Sequence, residues 1–260
     1  MTMNLHIHTV GEGRPIVLLH GWGMHSGLFE PVVQALQSEY QLHLVDLPGH
    51  GESDADPCFA DMANFIRQLT DQLTSLNIEK FMLMGWSLGG LIAQAMAIAH
   101  PALIEKLVLV TTSPCFQVRD DWACAIRERV LNDFSRDLVA DFSATLNRFL
   151  ALQFMYIEQQ KQHLRQAKKL VFSRPEPKVE MLEAGLMLLQ NTDLRCDLTK
   201  VRCPTLILNA QRDTLVPSLA GRYLAQTIPD ARLYLYSGCG HAPFLSHTIQ
   251  FNQHLKQFLS

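Results

Sequence analysis

With 260 residues, 48% of them hydrophobic and 18% charged, the chain can bury a sizeable core as one globular domain carrying at most an insertion, which excludes a disordered chain. A net charge of -3 opposes general nucleic-acid binding, and no uncharged apolar run reaches the roughly 18 residues of a membrane span. The N-terminal stretch MTMNLHIHTVGEG has no basic segment followed by an apolar one, and the six scattered cysteines show neither CxxC pairing nor zinc-like spacing, so a cytoplasmic chain with reduced thiols and no metal site is expected.

In chain order, short runs rich in Val, Leu and Ile predict strands at PIVLLH (15–20), QLHLVD (41–46), KFMLMG (80–85), KLVLVT (106–111), PTLILN (204–209) and RLYLYS (232–237). Most are continuously apolar, the pattern of strands buried on both faces. Helix-length stretches separate or follow them at 27–38, 60–76, 89–99, 217–228 and 246–259. This alternation predicts an α/β fold with a mostly parallel central sheet and helices on both faces. From 116 to 194 the rhythm stops. AIRERVLNDF, ATLNRFLALQFM, QKQHLRQAKKLVF and VEMLEAGLMLLQ read as helices, broken by SRPEP at 173–177. The chain is therefore expected to divide into a core of 1–115 and 195–260 and an all-helical insertion over 116–194, with no internal repeat.

The stretch LMGWSLGGLI (83–92) sets a serine between two glycines where a strand gives way to a helix. In such a Gly-x-Ser-x-Gly corner the serine sits in a strained turn with its Oγ above the sheet, while Gly85 and Gly89 remove side chains that would collide there. The following helix aims free N–H groups and its positive dipole end at charge forming beside Ser87, which favours an oxyanion. A serine hydroxyl needs a base, and the base needs an orienting acid. Of the eleven histidines, His241 in SGCGHAPF lies just past the last strand, at the sheet edge that carries Ser87. His20, His43 and His100 lie in or beside core elements, and His6 and His8 share one strand face without a third metal ligand. Asp213 in LNAQRDTLVP follows the strand at 204–209 to the same edge, whereas Asp193 and Asp197 have no strand before them and Asp120 and Asp121 open the insertion. Ser87, Asp213 and His241 thus stand in the order nucleophile, acid, histidine. The expected oxyanion donors are the backbone N–H groups of Leu88 and of Trp22 in HGWG, where Gly21 and Gly23 let the backbone come close. The Trp22 indole is expected to line an acyl pocket. DLPGHGES (46–53) has neither a lysine after its glycines nor GxGxxG spacing, so it reads as a sharp turn and not a phosphate loop.

These motifs together resemble the α/β-hydrolase superfamily along the whole chain. More narrowly, LLHGWG, LHLVDLPGHGES, GWSLGGL, SPCF, RFLALQ and HAPFLSH resemble the pimeloyl-[acyl-carrier protein] methyl ester esterases of biotin synthesis, with Trp86 before the nucleophile and RFLALQ as the more discriminating pieces. The resemblance implies an α/β-hydrolase fold whose helical cap follows the sixth strand, and a serine carboxylesterase that needs no cofactor. It implies cleavage of the methyl ester at the far end of a pimeloyl chain still attached to its carrier, through Ser87, Asp213 and His241. Trp22, Ser87, Leu88, Phe149, Leu150, Ala151, Leu152, Gln153 and His241 would contact substrate. Read on their own, residues 149–153 show only an apolar helix face. The triad alone also leaves open a lactonase, a thioesterase, a carbon–carbon bond hydrolase or a receptor that binds without turnover. Dehalogenase or epoxide hydrolase chemistry is disfavoured, because Ser87 stands where a carboxylate nucleophile would be required.

Between 144 and 178 there are seven basic and two acidic side chains. Lys161, Arg165, Lys168 and Lys169 fall on one side of a helix beside an apolar stripe of Ile157, Leu164 and Val171. Charge patterning alone describes a solvated helix face. With the resemblance, these residues and Arg148 are expected to dock an acidic acyl carrier protein, the chain acting as a monomer without nucleic-acid or membrane partners.

Overall fold

The computed structural model describes residues 4–155 and 158–260. Among them, β1 (Ile7–Val10), β2 (Arg14–Leu19), β3 (Tyr40–Val45), β4 (Phe81–Trp86), β5 (Ile104–Val110), β6 (Thr205–Ala210) and β7 (Ala231–Tyr236) form one sheet in the order β1-β3-β2-β4-β5-β6-β7. β1 runs antiparallel to β3, and the remaining neighbours are parallel. Six of these strands are the apolar runs of the sequence. β1 was not among them, because IHTV is short and sits half-exposed at the sheet edge, so it carries no continuous apolar signature.

The helices are α1 (Glu30–Leu36), α2 (Met62–Ser75), α3 (Leu88–Ala99), α4 (Glu128–Ala140), α5 (Phe142–Gln153), α6 (Gln160–Val171), α7 (Val179–Asn191), α8 (Ser218–Thr227), α9 (Pro243–Ser246) and α10 (Thr248–Leu259). Strand residues alternate between two apolar clusters, one on each face of the sheet. Ile16 and Leu18 pack with Val32 of α1 and Phe251 and Leu255 of α10. Val17 and Leu19 pack with Phe65 of α2, Leu91 of α3 and Leu224 of α8. α2 shows the local logic: Asp61 caps it by accepting from the Ala63 and Asn64 amides, and Phe65, Ile66, Leu69 and Leu73 form its buried stripe.

Helices α4 to α7 of the insertion lie between β5 and β6. Its ends meet in an antiparallel bridge of Cys115 with Asp193, beside which Arg195 binds Asp193 and Asp121 and lies 5.4 Å from the Trp122 ring centre. The insertion shares the core's apolar clusters: Leu182, Leu186 and Leu189 of α7 pack with Leu19, and Leu146, Leu150 and Phe154 pack with Leu18. Polar contacts add to this. Arg174 reaches the wholly buried Asp46 carboxylate at 2.6 Å, and the Lys178 amide donates to the Gly49 carbonyl at 2.8 Å. Among the described residues, no helix is long and apolar enough to cross a membrane.

The closest backbone approach joins β4, α3 and the end of β2. A Cβ on Gly85 would strike the Gly89 carbonyl, and one on Gly89 would be driven into the carbonyl oxygens of Leu19 and His20. Backbone atoms cannot swing aside, so Gly89→Ala is expected to destabilise the fold by about 1–3 kcal/mol, the usual range for overpacking. Urea unfolding of parent and variant measures this, and an unchanged midpoint would mean that α3 and β2 are not in such contact.

Candidate active site

β4 ends at Trp86 and α3 begins at Leu88, leaving Ser87 alone in the corner with φ +55° and ψ -115°. That conformation is costly for a residue with a Cβ and persists here because its surroundings fix it. The Ser87 amide donates to the Val110 carbonyl at 3.0 Å, and its carbonyl accepts from the Thr112 hydroxyl at 2.7 Å.

The loop after β6 carries Asp213, and the loop after β7 carries His241. Asp213 Oδ2 lies 2.7 Å from His241 Nδ1, while Oδ1 accepts from the Leu215 amide at 2.8 Å and the Val216 amide at 3.0 Å. A carboxylate so held makes Nδ1 the protonated nitrogen. Nε2 of His241 is buried without a hydrogen-bond partner among the described residues, which leaves its lone pair available as a base. The backbone of His241 is pinned as well. Its carbonyl accepts from the Trp86 indole at 2.9 Å and the Thr111 hydroxyl at 2.7 Å, and its amide donates to the Gln153 carbonyl at 3.0 Å.

Leu88 opens α3, so its N–H is one of those that a helix leaves without an internal acceptor. The loop carrying Trp22 passes so near the nucleophile that a Cβ on Gly21 would lie 3.3 Å from that of Ser87. The Trp22 indole donates to the Leu182 carbonyl of α7 at 2.8 Å and meets the Phe149 ring edge-on at 5.0 Å. Two buried histidines brace this loop, His20 at its start and His50 across from Gly23.

Ser87 and Trp22 open into an apolar cavity of about 210 Å³. Phe149 and Leu152 of the sequence-expected substrate segment line it. The rest of that segment does not. Leu150 is buried in the cluster with Leu146 and Phe154, and Ala151 lines an outer groove. Gln153 is buried, contributes its carbonyl to His241, and has no hydrogen-bond partner for either amide atom among the described residues. The cavity wall also uses Phe116 and Ile126 ahead of α4, Val130 and Phe134 of α4, Leu186 and Leu189 of α7, and Leu215 beside Asp213, none of which sequence reasoning singled out. Their helical spacing was visible, but spacing distinguishes a buried stripe from an exposed one and not a cavity wall from solid core. Among the described residues the wall carries no ionised side chain, its polar members being Ser87 and Thr214.

The cap cations separate into two sets. Arg148 is paired with Asp137 at 3.0 Å and Arg174 with Asp46, whereas Lys161, Arg165, Lys168 and Lys169 on α6 have no carboxylate partner among the described residues. Leu164 is half-buried and Val171 buried beside them, and Ile157 lies outside the described residues.

A model of the α/β hydrolase fold family matches residues 14–248. The chain is 40% identical over 248 residues, 95% of its length and 96% of the relative's, to a pimeloyl-[acyl-carrier protein] methyl ester esterase of Nitrosomonas europaea. It is 38% identical to the protein of the same name from Aeromonas hydrophila, over 99% of this chain and all of that one. An esterase from Exiguobacterium antarcticum superposes with a TM-score of 0.90 at 24% identity, covering 98% of this chain and 95% of that one, a likeness of fold.

Burial lowers the pKa of His20 to about 3, with the neighbouring His50 adding to the effect, and lowers that of His50 to about 4. Both imidazoles are neutral in the folded chain above those values, but take up protons near pH 6.5 once unfolded. The unfolded state then binds more protons, so stability is expected to fall as pH drops from about 6.5 toward 4. Urea titrations across that window test this, with His50→Gln giving a shallower slope than the parent.

Proposed function

The chain belongs to the α/β-hydrolase family and, within it, to the pimeloyl-[acyl-carrier protein] methyl ester esterases, and from that premise we propose how its residues cleave the methyl ester of a carrier-bound pimeloyl chain. The observation that carries this reading is the His241–Asp213 pair, oriented at 2.7 Å with Nε2 unpaired, in a chain whose glycine-flanked Ser87 opens an uncharged cavity. Ser87 Oγ attacks the ester carbonyl while His241 Nε2 takes its proton. The oxyanion is held by the N–H groups of Trp22 and Leu88, and methanol leaves with the proton that His241 returns. Water, activated by the same nitrogen, then attacks the acyl-enzyme and frees the carboxylic acid. The thioester to the carrier is untouched. These steps require no metal or organic cofactor.

The cavity supports an uncharged acyl chain ending in an ester. Each buried methylene contributes about 0.8 kcal/mol, whereas a carboxylate along the same wall would find no cation. The cavity shares Val130, Phe134 and Leu152 with an outer groove of about 410 Å³ between α4 and α5, rimmed by Asp133, Asp137 and Arg148. The tethered chain enters there, beneath an insertion over 116–194 that acts as a cap. The unpaired cations Lys161, Arg165 and Lys169, exposed on α6, support docking of an acidic carrier. The protein acts as a monomer in the cytoplasm.

Ser87→Ala is expected to lower turnover by about 10⁴ to 10⁶-fold with folding retained, and Asp213→Asn by about 10⁴ through the wrong histidine tautomer. Loss of the methyl group from a carrier-bound pimeloyl methyl ester, followed by mass spectrometry, reads both, and an active Ser87→Ala protein would sink the mechanism. Replacing Lys161, Arg165 and Lys169 by Glu is expected to reduce kcat/KM for the carrier-bound ester by tenfold or more, on the order seen for electrostatic steering. A small free methyl ester should be hydrolysed almost as before, and added salt should imitate the substitutions on the carrier substrate alone. Equal loss on both substrates, or on neither, would remove α6 from the docking surface.

A further inference from the structure

His20, at the start of the loop after β2, and His50, in the turn after β3, have no part in the steps above. Both rings are fully buried, with centroids 5.3 Å apart. His20 Nδ1 is 2.8 Å from the Gly21 carbonyl, and its Nε2 is 2.9 Å from the Leu47 amide. His50 Nδ1 is 2.9 Å from the Pro48 carbonyl, and its Nε2 is 3.3 Å from the Gly23 amide. Carbonyl oxygens accept and amides donate, so in both rings Nδ1 carries the hydrogen and Nε2 the lone pair. The two tautomers are thereby fixed by four backbone groups.

The placement of those groups matters. The Gly21 carbonyl and the Trp22 N–H belong to one planar peptide unit, so a donor on that oxygen sets the direction in which the N–H points. The next peptide unit ends in the Gly23 N–H, which His50 receives. Gly23 has φ +69°, a conformation in which the chain turns sharply and has no side chain of its own to steady it. Two successive peptide units, the one carrying the Trp22 N–H and the one after it, are thus each held by an imidazole. One imidazole is its unit's chain neighbour and the other comes from the DLPGHGES turn, which sequence reasoning left without a function.

We infer that His20 and His50 are positioning residues for the oxyanion hole, His20 by orienting the Gly21–Trp22 peptide and His50 by anchoring the peptide after it. The inference rests on the reading of Trp22 and Leu88 as the oxyanion donors. Neutrality of both rings down to about pH 4 accords with it, because a proton on either Nε2 would confront an amide N–H. The energetic logic is preorganisation: a donor already aimed at the developing charge costs nothing to align during reaction. Such a role acts on the transition state and leaves ground-state binding alone.

The two side-chain amides separate the contacts at each site. Asn places its polar atoms near Nδ1 of the imidazole it replaces, and Gln places them near Nε2. His20→Asn keeps the donor to Gly21 and loses the acceptor for Leu47, while His20→Gln does the reverse. At His50 the preference inverts, since Gln keeps the acceptor for Gly23 and Asn loses it. With a small free methyl ester, His20→Gln and His50→Asn are expected to lower kcat by tenfold or more, approaching the roughly 10² to 10³ that loss of a whole donor costs. KM should stay within about twofold, and affinity for an alkyl boronic acid, whose tetrahedral adduct on Ser87 mimics the transition state, should fall with kcat. His20→Asn and His50→Gln should retain kcat within about threefold by the same logic.

Four variants that lose activity in step with their melting temperatures, or four that all keep it, would overturn the inference. Should a variant fail to fold, nitrogen-15 spectra of the parent decide. Both rings must show the Nδ1–H tautomer from pH 5 to 8, and an Nε2–H form of either would overturn the assignment. Failure of the proposed function looks different: the parent would not hydrolyse the ester, or Ser87→Ala would remain active.

Discussion

The approach of α3 to the end of β2, so close that Gly89 has no room for a Cβ beside the carbonyls of Leu19 and His20, is the constraint on which the rest of the site depends. It brings the first turn of a helix against a loop more than sixty residues earlier in the chain. The start of α3, with the Leu88 N–H, and the loop carrying Trp22 are thereby brought together beside one serine. The strain at Ser87, φ +55°, is sustained by the same contacts. The Val110 carbonyl at the end of β5 and the Thr112 hydroxyl just past it fix its amide and carbonyl, so the position of Ser87 is set by β5 and not by the corner alone.

The helical insertion lines the cavity with side chains and is also tied to the core through backbone carbonyls. Gln153 at the end of α5 receives the His241 amide, Leu182 of α7 receives the Trp22 indole, and Leu170 of α6 lies 3.0 Å from His25 Nε2. A buried donor stripped of its acceptor costs about 1–3 kcal/mol, so these three points resist separation of insertion from core. The gap between α4 and α5 is different. Its rim is made of the half-exposed Val130 and the charged side chains of Asp133, Asp137 and Arg148, and an Arg148–Asp137 pair at 3.0 Å joins the two helices there.

Charge is sorted with equal consistency. Arg174 neutralises a wholly buried carboxylate, where removal of either partner would strand the other in low dielectric. Among the described residues, the cavity wall beside Ser87 is free of ionised groups, so a hydrogen bond made there is worth more than it would be in water. The cations of α6 face outward without partners among the described residues, where their field extends about a Debye length into solvent. Basic residues that look alike in the sequence thus serve the interior, as Arg174 does, or the surface, as Lys161 does.

The sequence by itself determined the sheet and the order of its chemistry. Continuous apolar runs mark strands buried on both faces, and the glycines around Ser87, the turn residues after β6 and those after β7 mark where those strands end, so six strands and the positions of Ser87, Asp213 and His241 along one edge were legible. Those signals are local, since they follow from backbone sterics and from the period of side chains along a strand. The tertiary structure alone decided what local signals do not encode. β1 pairs through its backbone and needs no apolar run. Leu150 and Leu152, two residues apart on one helix, part company between solid core and cavity wall because different neighbours meet them. His20, which reads as a core histidine in the sequence, and His50, which lies within the DLPGHGES turn, acquire the Leu47 and Gly23 amides as partners only when the turn after β3 folds against the loop after β2, because a hydrogen bond between distant segments exists only once packing brings its two ends together.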